Sequence, residues 1–116
     1  MQNFFANLPD VKGAEVVEPL TNFVDHGKPT VRLQRIVSGG HASPVGFWYE
    51  QDEDEWVMLL RGEACLLLAK GEAEEEQTVE MHAGDYLELP AGLRHRVECV
   101  SGDAIWLALH GAIEQV

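Results

Sequence analysis

Gly84-Asp85-Tyr86-Leu87-Glu88-Leu89-Pro90-Ala91-Gly92-Leu93-Arg94-His95 is the stretch on which the fold of this chain turns. Tyr86 and Glu88 alternate with Leu87 and Leu89, the period of two expected of a strand with one apolar face. Gly84-Asp85 before it and Pro90-Ala91-Gly92 after it are chain-bending combinations. Alternation resumes in Arg94-His95-Arg96-Val97-Glu98-Cys99-Val100. It predicts that His95 shares a face with Val97 and Cys99, away from Arg94, Arg96 and Glu98. An imidazole turned to the apolar side of a strand needs a hydrogen-bond partner or a metal.

Working outward, further short strands read as Glu15 to Glu18, Thr30 to Val37, Trp56 to Arg61, Glu63 to Ala69, Thr78 to Met81 and Ala104 to His110. Breaks such as Ser38-Gly39-Gly40, Gly62 and Lys70-Gly71 separate them. Phe4, Phe5 and Leu8 predict one amphipathic helical turn before Pro9, and nothing longer has a helical period. Glu72 to Glu76 is an acidic run that must be solvated. Closely spaced short strands with Gly, Pro and Asp turns indicate an all-β barrel or sandwich.

With 116 residues the chain is one domain able to bury well over half of its unfolded surface. Its net charge of −12 excludes a nucleic-acid surface, which needs clustered Lys and Arg, and opposes an anionic membrane. No run approaches the ~20 apolar residues that span a bilayer. Met1-Gln2-Asn3-Phe4-Phe5 carries neither the basic region nor the apolar run of a signal peptide, so a cytoplasmic protein is expected. Cys65 and Cys99 are far apart in the chain and form no C-x-x-C, which predicts two separate buried thiols in a reducing compartment.

Gly84, Pro90, Gly92 and His95 stand at the spacings Gly, five residues, Pro, one residue, Gly, two residues, His. In this the stretch resembles the second motif of the cupin superfamily, with Cys99 where an asparagine often follows. The first cupin motif runs Gly, five residues, His-x-His, three or four residues, Glu, six residues, Gly. Glu55 and Gly62 match its second half. Its two His positions fall on Tyr49 and Gln51 with the shorter spacing, or on Trp48 and Glu50 with the longer, and its opening Gly on Ser43 or Ala42. The resemblance runs from about Thr30 to His110. It implies a jelly-roll barrel (a double-stranded β-helix) with a central small-molecule pocket. One domain over 1–116 would then comprise a core at about 30–110 and an N-terminal segment, 1–29, that caps the barrel or contacts a partner in a homodimer.

Glu55 opens an apolar strand, where a carboxylate is costly unless it meets a cation or hydrogen-bond donors. The resemblance implies that Glu55 faces His95 across the pocket and that the two ligate a divalent metal such as Zn, Ni, Fe or Mn. Gln51 and Tyr49 are the further ligand candidates, and Tyr49 is also the candidate catalytic proton carrier. To ligate as phenolate, Tyr49 must titrate below its ordinary pKa of ~10. His41, in the loop before Phe47, and His110, on the face of Trp106 and Ala108, are additional candidate imidazoles. His26 and His82 read as exposed turn residues, and Arg32 and Arg35 as opposite faces of one strand. The acidic run from Glu50 to Glu55 lacks the Gly and spacing of a calcium loop. Two function classes follow: a metal-dependent enzyme of oxygenase, isomerase or lyase type, or a metal-free ligand-binding or sensor module.

Overall fold

The period-two patterning becomes eight antiparallel strands in the computed structural model, which describes residues 1–70 and 75–111. In chain order they are β1 (Glu15–Asp25), β2 (Lys28–Ser38), β3 (Asp54–Arg61), β4 (Glu63–Lys70), β5 (Glu75–His82), β6 (Tyr86–Leu89), β7 (Arg94–Val100) and β8 (Ile105–Gly111). Among the described residues no helix is long and apolar enough to cross a membrane. One sheet has the order β1-β2-β8-β3-β6 and the other β5-β4-β7. Val57 and Leu59 of β3, Leu66 and Leu68 of β4, Met81 of β5 and Trp106 of β8 pack into a single core. This is the two-layer closure of a jelly roll. Each fully buried side chain such as Leu59 or Met81 contributes ~1.5–3 kcal/mol by leaving water.

The glycines of the opening stretch are there for their backbone angles. Gly84 and Gly92 hold φ at 96° and 83°, a region that side-chain-bearing residues avoid. The Gly84 N–H donates to the Leu59 carbonyl at 2.7 Å, docking the β5–β6 turn on β3. The Gly92 N–H donates to the Gln51 carbonyl at 2.8 Å. Beside it the Ala91 N–H donates to the Asp54 carboxylate at 2.9 Å. The turn from Pro90 to Gly92 is thereby fastened to the segment that carries Gln51 and Glu55, so the two distant motifs meet.

β1 continues past Pro19 to Asp25, further than its first residues suggested. As an edge strand it tolerates the missing proline N–H, and the pairing with β2 slips by a bulge just there. The amino-terminal turn differs from expectation as well. Ala6 N–H donates to the Asn3 carbonyl at 3.1 Å and Asn7 adopts φ 53°, giving a hydrogen-bonded turn instead of a helical one. Its carbonyls are used elsewhere. The buried Arg35 guanidinium donates to the Phe4, Ala6 and Asn7 carbonyls at 2.8, 2.7 and 3.3 Å, and to both oxygens of Glu18 at 3.0 Å.

Two further expectations change on β7. Its pairing with β4 shifts register between Cys65–Cys99 and Leu66–Val97, a bulge at Glu98 that reverses the alternation. His95 and Val97 line the interior together with Val100, while Cys99 is exposed on the outside. The cysteines are not separate buried thiols: Cys65 is half-buried, Cys99 is exposed, and they lie directly opposite each other across β4 and β7. Of the acidic run, residues 72–74 lie outside the described residues, and Glu75 and Glu76 are exposed.

Candidate functional site

Strand register brings the site together. Glu55, the second residue of β3, is paired with His110 of β8 on one side and with Leu89 of β6 on the other. Its Oε2 lies 2.8 Å from His110 Nε2 and its Oε1 3.9 Å from His95 Nε2. All three side chains are buried. A carboxylate so placed is tolerated only because donors or cations offset its lost hydration.

His95 is held from several directions. Its backbone exchanges two hydrogen bonds with Tyr49, at 2.7 and 3.0 Å. Its ring stacks on the Tyr49 ring with centroids 5.3 Å apart and planes 18° apart. His95 Nδ1 lies 3.2 Å from the Leu93 carbonyl, which accepts only from a protonated Nδ1. With Nδ1 engaged in this way, Nε2 is the ring nitrogen turned to a carboxylate oxygen of Glu55, and the two are ligand atoms able to share a cation. Two imidazoles and a carboxylate are donors that Mn, Fe, Ni or Zn accept, so the residues fit a divalent metal. Among the described residues, no three His, Cys, Asp or Glu side chains are already gathered as a coordination cluster.

These groups lie on the wall of a cavity of about 690 Å³ that Tyr49, Gln51 and His41 also line. Tyr49 and Gln51 do not belong to a continuous strand: Tyr49 forms an isolated bridge to His95, and β3 starts only at Asp54. Burial, followed by the charges of Glu15 and Glu55, pushes the Tyr49 phenol above its ordinary pKa. That direction opposes a phenolate ligand and leaves Tyr49 a neutral hydroxyl. His41 reaches the cavity but pairs at 3.4 Å with Glu15 instead of Glu55, and its buried Nδ1 has no hydrogen-bond partner among the described residues. His26 and His82 are exposed.

Arg32 and Arg35 do occupy opposite faces of β2. Arg32 lines the cavity and grips Glu53 through two parallel hydrogen bonds of 2.9 and 2.7 Å. The bond raises the Arg32 pKa and lowers that of Glu53. Arg94 and Arg96 stack on Trp48 at 4.8 and 6.0 Å. Sequence reasoning missed Glu15 and Glu53 as wall residues. Glu15 precedes the matched motifs, and Glu53 sits in a run that reads as a solvated turn.

A cupin domain family model matches residues 32–110. A Ralstonia eutropha protein with a provisional mannose-6-phosphate isomerase name is 35% identical, with 97% of this chain and 98% of that chain covered at a TM-score of 0.80. A cupin superfamily protein of Desulfitobacterium hafniense is 15% identical over 92% of this chain and 84% of that one, with a TM-score of 0.65. The oxalate decarboxylase of Bacillus subtilis, a protein with Mn(II) centres, is 17% identical over 75% of this chain and 22% of its own, with a TM-score of 0.60. The last two likenesses are of fold alone. No curated protein matches.

Proposed function

The chain belongs to the cupin domain family, and we propose that its barrel interior is a small-molecule site in which Glu55, His95 and His110 hold a divalent cation. One observation carries the reading: the two oxygens of a single buried carboxylate each face an imidazole nitrogen at the wall of a cavity. A cation held by Glu55, His95 and His110 would take over from the 2.8 Å contact between Glu55 and His110. Bound there, it supplies Lewis-acid polarisation of a ligand oxygen. Tyr49 presents a protonated hydroxyl, able to donate a hydrogen bond or a proton to that ligand. Gln51 lines the same wall and adds an amide for orientation, and the unpartnered His41 Nδ1 adds a further polar contact.

Charge narrows the ligand. Glu15, Glu50, Asp52, Glu53 and Glu55 line the cavity against one arginine, and that arginine is already forked onto Glu53. A phosphate or dicarboxylate would meet like charge without a spare guanidinium. Away from the cation, the wall therefore favours the hydroxyls of a neutral polyhydroxy compound or an amine over a phosphate or carboxylate group.

A metal-free binding module is the second reading, favoured by the 2.8 Å contact through which His110 satisfies Glu55 without a cation. Elemental analysis of untagged protein from metal-replete cells separates the two. Near-stoichiometric Mn, Fe, Ni or Zn is expected in the wild type and its loss in His95→Ala and Glu55→Gln, with titration calorimetry against Mn²⁺ following the same order. Equal metal in all three proteins, or none in any, overturns the metal site. Exposed Leu20, Phe23 and Val24 on edge strand β1 support association of two copies, which a light-scattering mass of one chain would refute.

A further inference from the structure

We propose that Cys65 and Cys99 are a redox modification site, closing under peroxide to a cross-strand disulfide that clamps the strand bearing His95. They are the chain's two cysteines, both are free, and they are Cα partners in the β4–β7 ladder. Partners opposite one another in an antiparallel pair have Cα atoms ~4.5 or ~5.5 Å apart. Both values fall inside the ~4.4–6.8 Å range of Cα separations that a disulfide spans. On the outer face of the small sheet the pair is flanked by Glu80, the β5 partner of Cys65, and by Glu98 on β7.

The two thiols are unequal. Cys99 is exposed and meets solutes directly, whereas burial, the hydrogen bond to Cys99 and the neighbouring charges of Cys99, Glu80 and Glu98 raise the Cys65 pKa. Cys99 is accordingly the attacking thiol and Cys65 the resolving one. The Cys99 thiolate attacks one peroxide oxygen, the O–O bond breaks, and Cys99 becomes a sulfenic acid while hydroxide leaves and is protonated to water. Cys65, losing its proton, then attacks the Cys99 sulfur and expels the sulfenic oxygen as a second water. The two sulfurs supply the two electrons that reduce the peroxide.

The consequence for the barrel lies in the position of the link. Cys99 sits at the Glu98 bulge, and the same strand carries Val97 and His95 to the cavity wall. A covalent tie to β4, the central strand of the small sheet, fixes that bulge.

The test is a titration of the full chain with hydrogen peroxide, followed by intact mass, free-thiol assay and peptide mapping. The monomer should lose the mass of two hydrogen atoms, both thiols should disappear, and one linked peptide pair should join Cys65 to Cys99. The oxidised form should melt roughly 10 °C higher, with slower amide exchange over β7, and dithiothreitol should reverse both changes. Cys65→Ser should instead accumulate a dimedone-trappable sulfenic acid at Cys99, and Cys99→Ser, an exposed change that leaves the core intact, should keep its thiol. Retention of both thiols, links only between chains, over-oxidation of Cys99 without a link, or unchanged β7 exchange after linking would each overturn the proposal.

Discussion

Replacing His110 by alanine removes the donor that lies 2.8 Å from a buried carboxylate and leaves Glu55 with His95 at 3.9 Å. Truncating a charge-assisted hydrogen bond costs ~1.5–3 kcal/mol, and stranding one partner of a fully buried ion pair ~3–5 kcal/mol. The cavity beside Glu55 has room for water, which partly restores the hydration of the carboxylate and moves the cost toward the lower range. About 2 kcal/mol is therefore expected. For a domain of this length ~1 kcal/mol corresponds to ~4 °C, so the Tm of chelator-treated protein should fall by about 8 °C. The same substitution in a Glu55→Gln background should cost far less, because the charge it strands is gone. A double-mutant cycle from urea unfolding, followed by circular dichroism in EDTA at neutral pH, should give a coupling of roughly 1.5 kcal/mol. Additive costs would refute the reasoning, since Glu55 would then not depend on His110.

Arg35→Ala should be costlier, by ~3 kcal/mol or more, because it strands Glu18 and three carbonyls of the amino-terminal turn; limited proteolysis should then cut within residues 1–14, and Arg35→Lys should not restore resistance. Glu53 titrates in the folded state below its unfolded value near 4.5. Its pairing therefore stabilises the fold above that pH and is lost as the pH falls through the lower folded value. The pair is partly exposed, so the effect is small: urea midpoints measured at acid pH should decline less steeply in Arg32→Gln than in the wild type, and identical slopes would refute the pairing. Spectrophotometric titration should reveal a tyrosine step above ~10 that is absent from Tyr49→Phe; a Tyr49 step below that value would restore the phenolate role.

What was legible follows from what a local sequence can encode. Positive φ at Gly84 and Gly92 restricts residue choice so strongly that the turn geometry is written in the chain. A carboxylate at the head of the apolar Trp56–Leu60 run is equally conspicuous, so Glu55 and His95 could be named together. Register cannot be read locally. Glu55 meets His110 because β3 and β8 pair with those residues opposite, a choice made by the packing of whole sheets. The bulge at Glu98 adds no residue of distinctive type, so alternation carried Cys99 to the wrong face. For Arg35 the chain gave only the face opposite Arg32, because its carbonyl partners belong to a turn that only the fold brings near.

Acidity shows how far partner accounting reaches beyond composition. A net charge of −12 spoke against nucleic acid and anionic membranes, yet several of those carboxylates face inward. Such an interior is tolerated because Glu15 has His41, Glu53 has Arg32, and Glu55 has His110. Among the side chains, an anionic ligand could gain a cationic partner here only by breaking one of those pairs, so an anionic group would depend on the proposed cation. An amine or a hydroxylated neutral compound faces no such exchange, because carboxylate oxygens accept its hydrogen bonds while keeping their existing donors. The class of ligand that the proposed site would admit therefore depends on which charges are already spoken for, a property that a fold leaves free to vary.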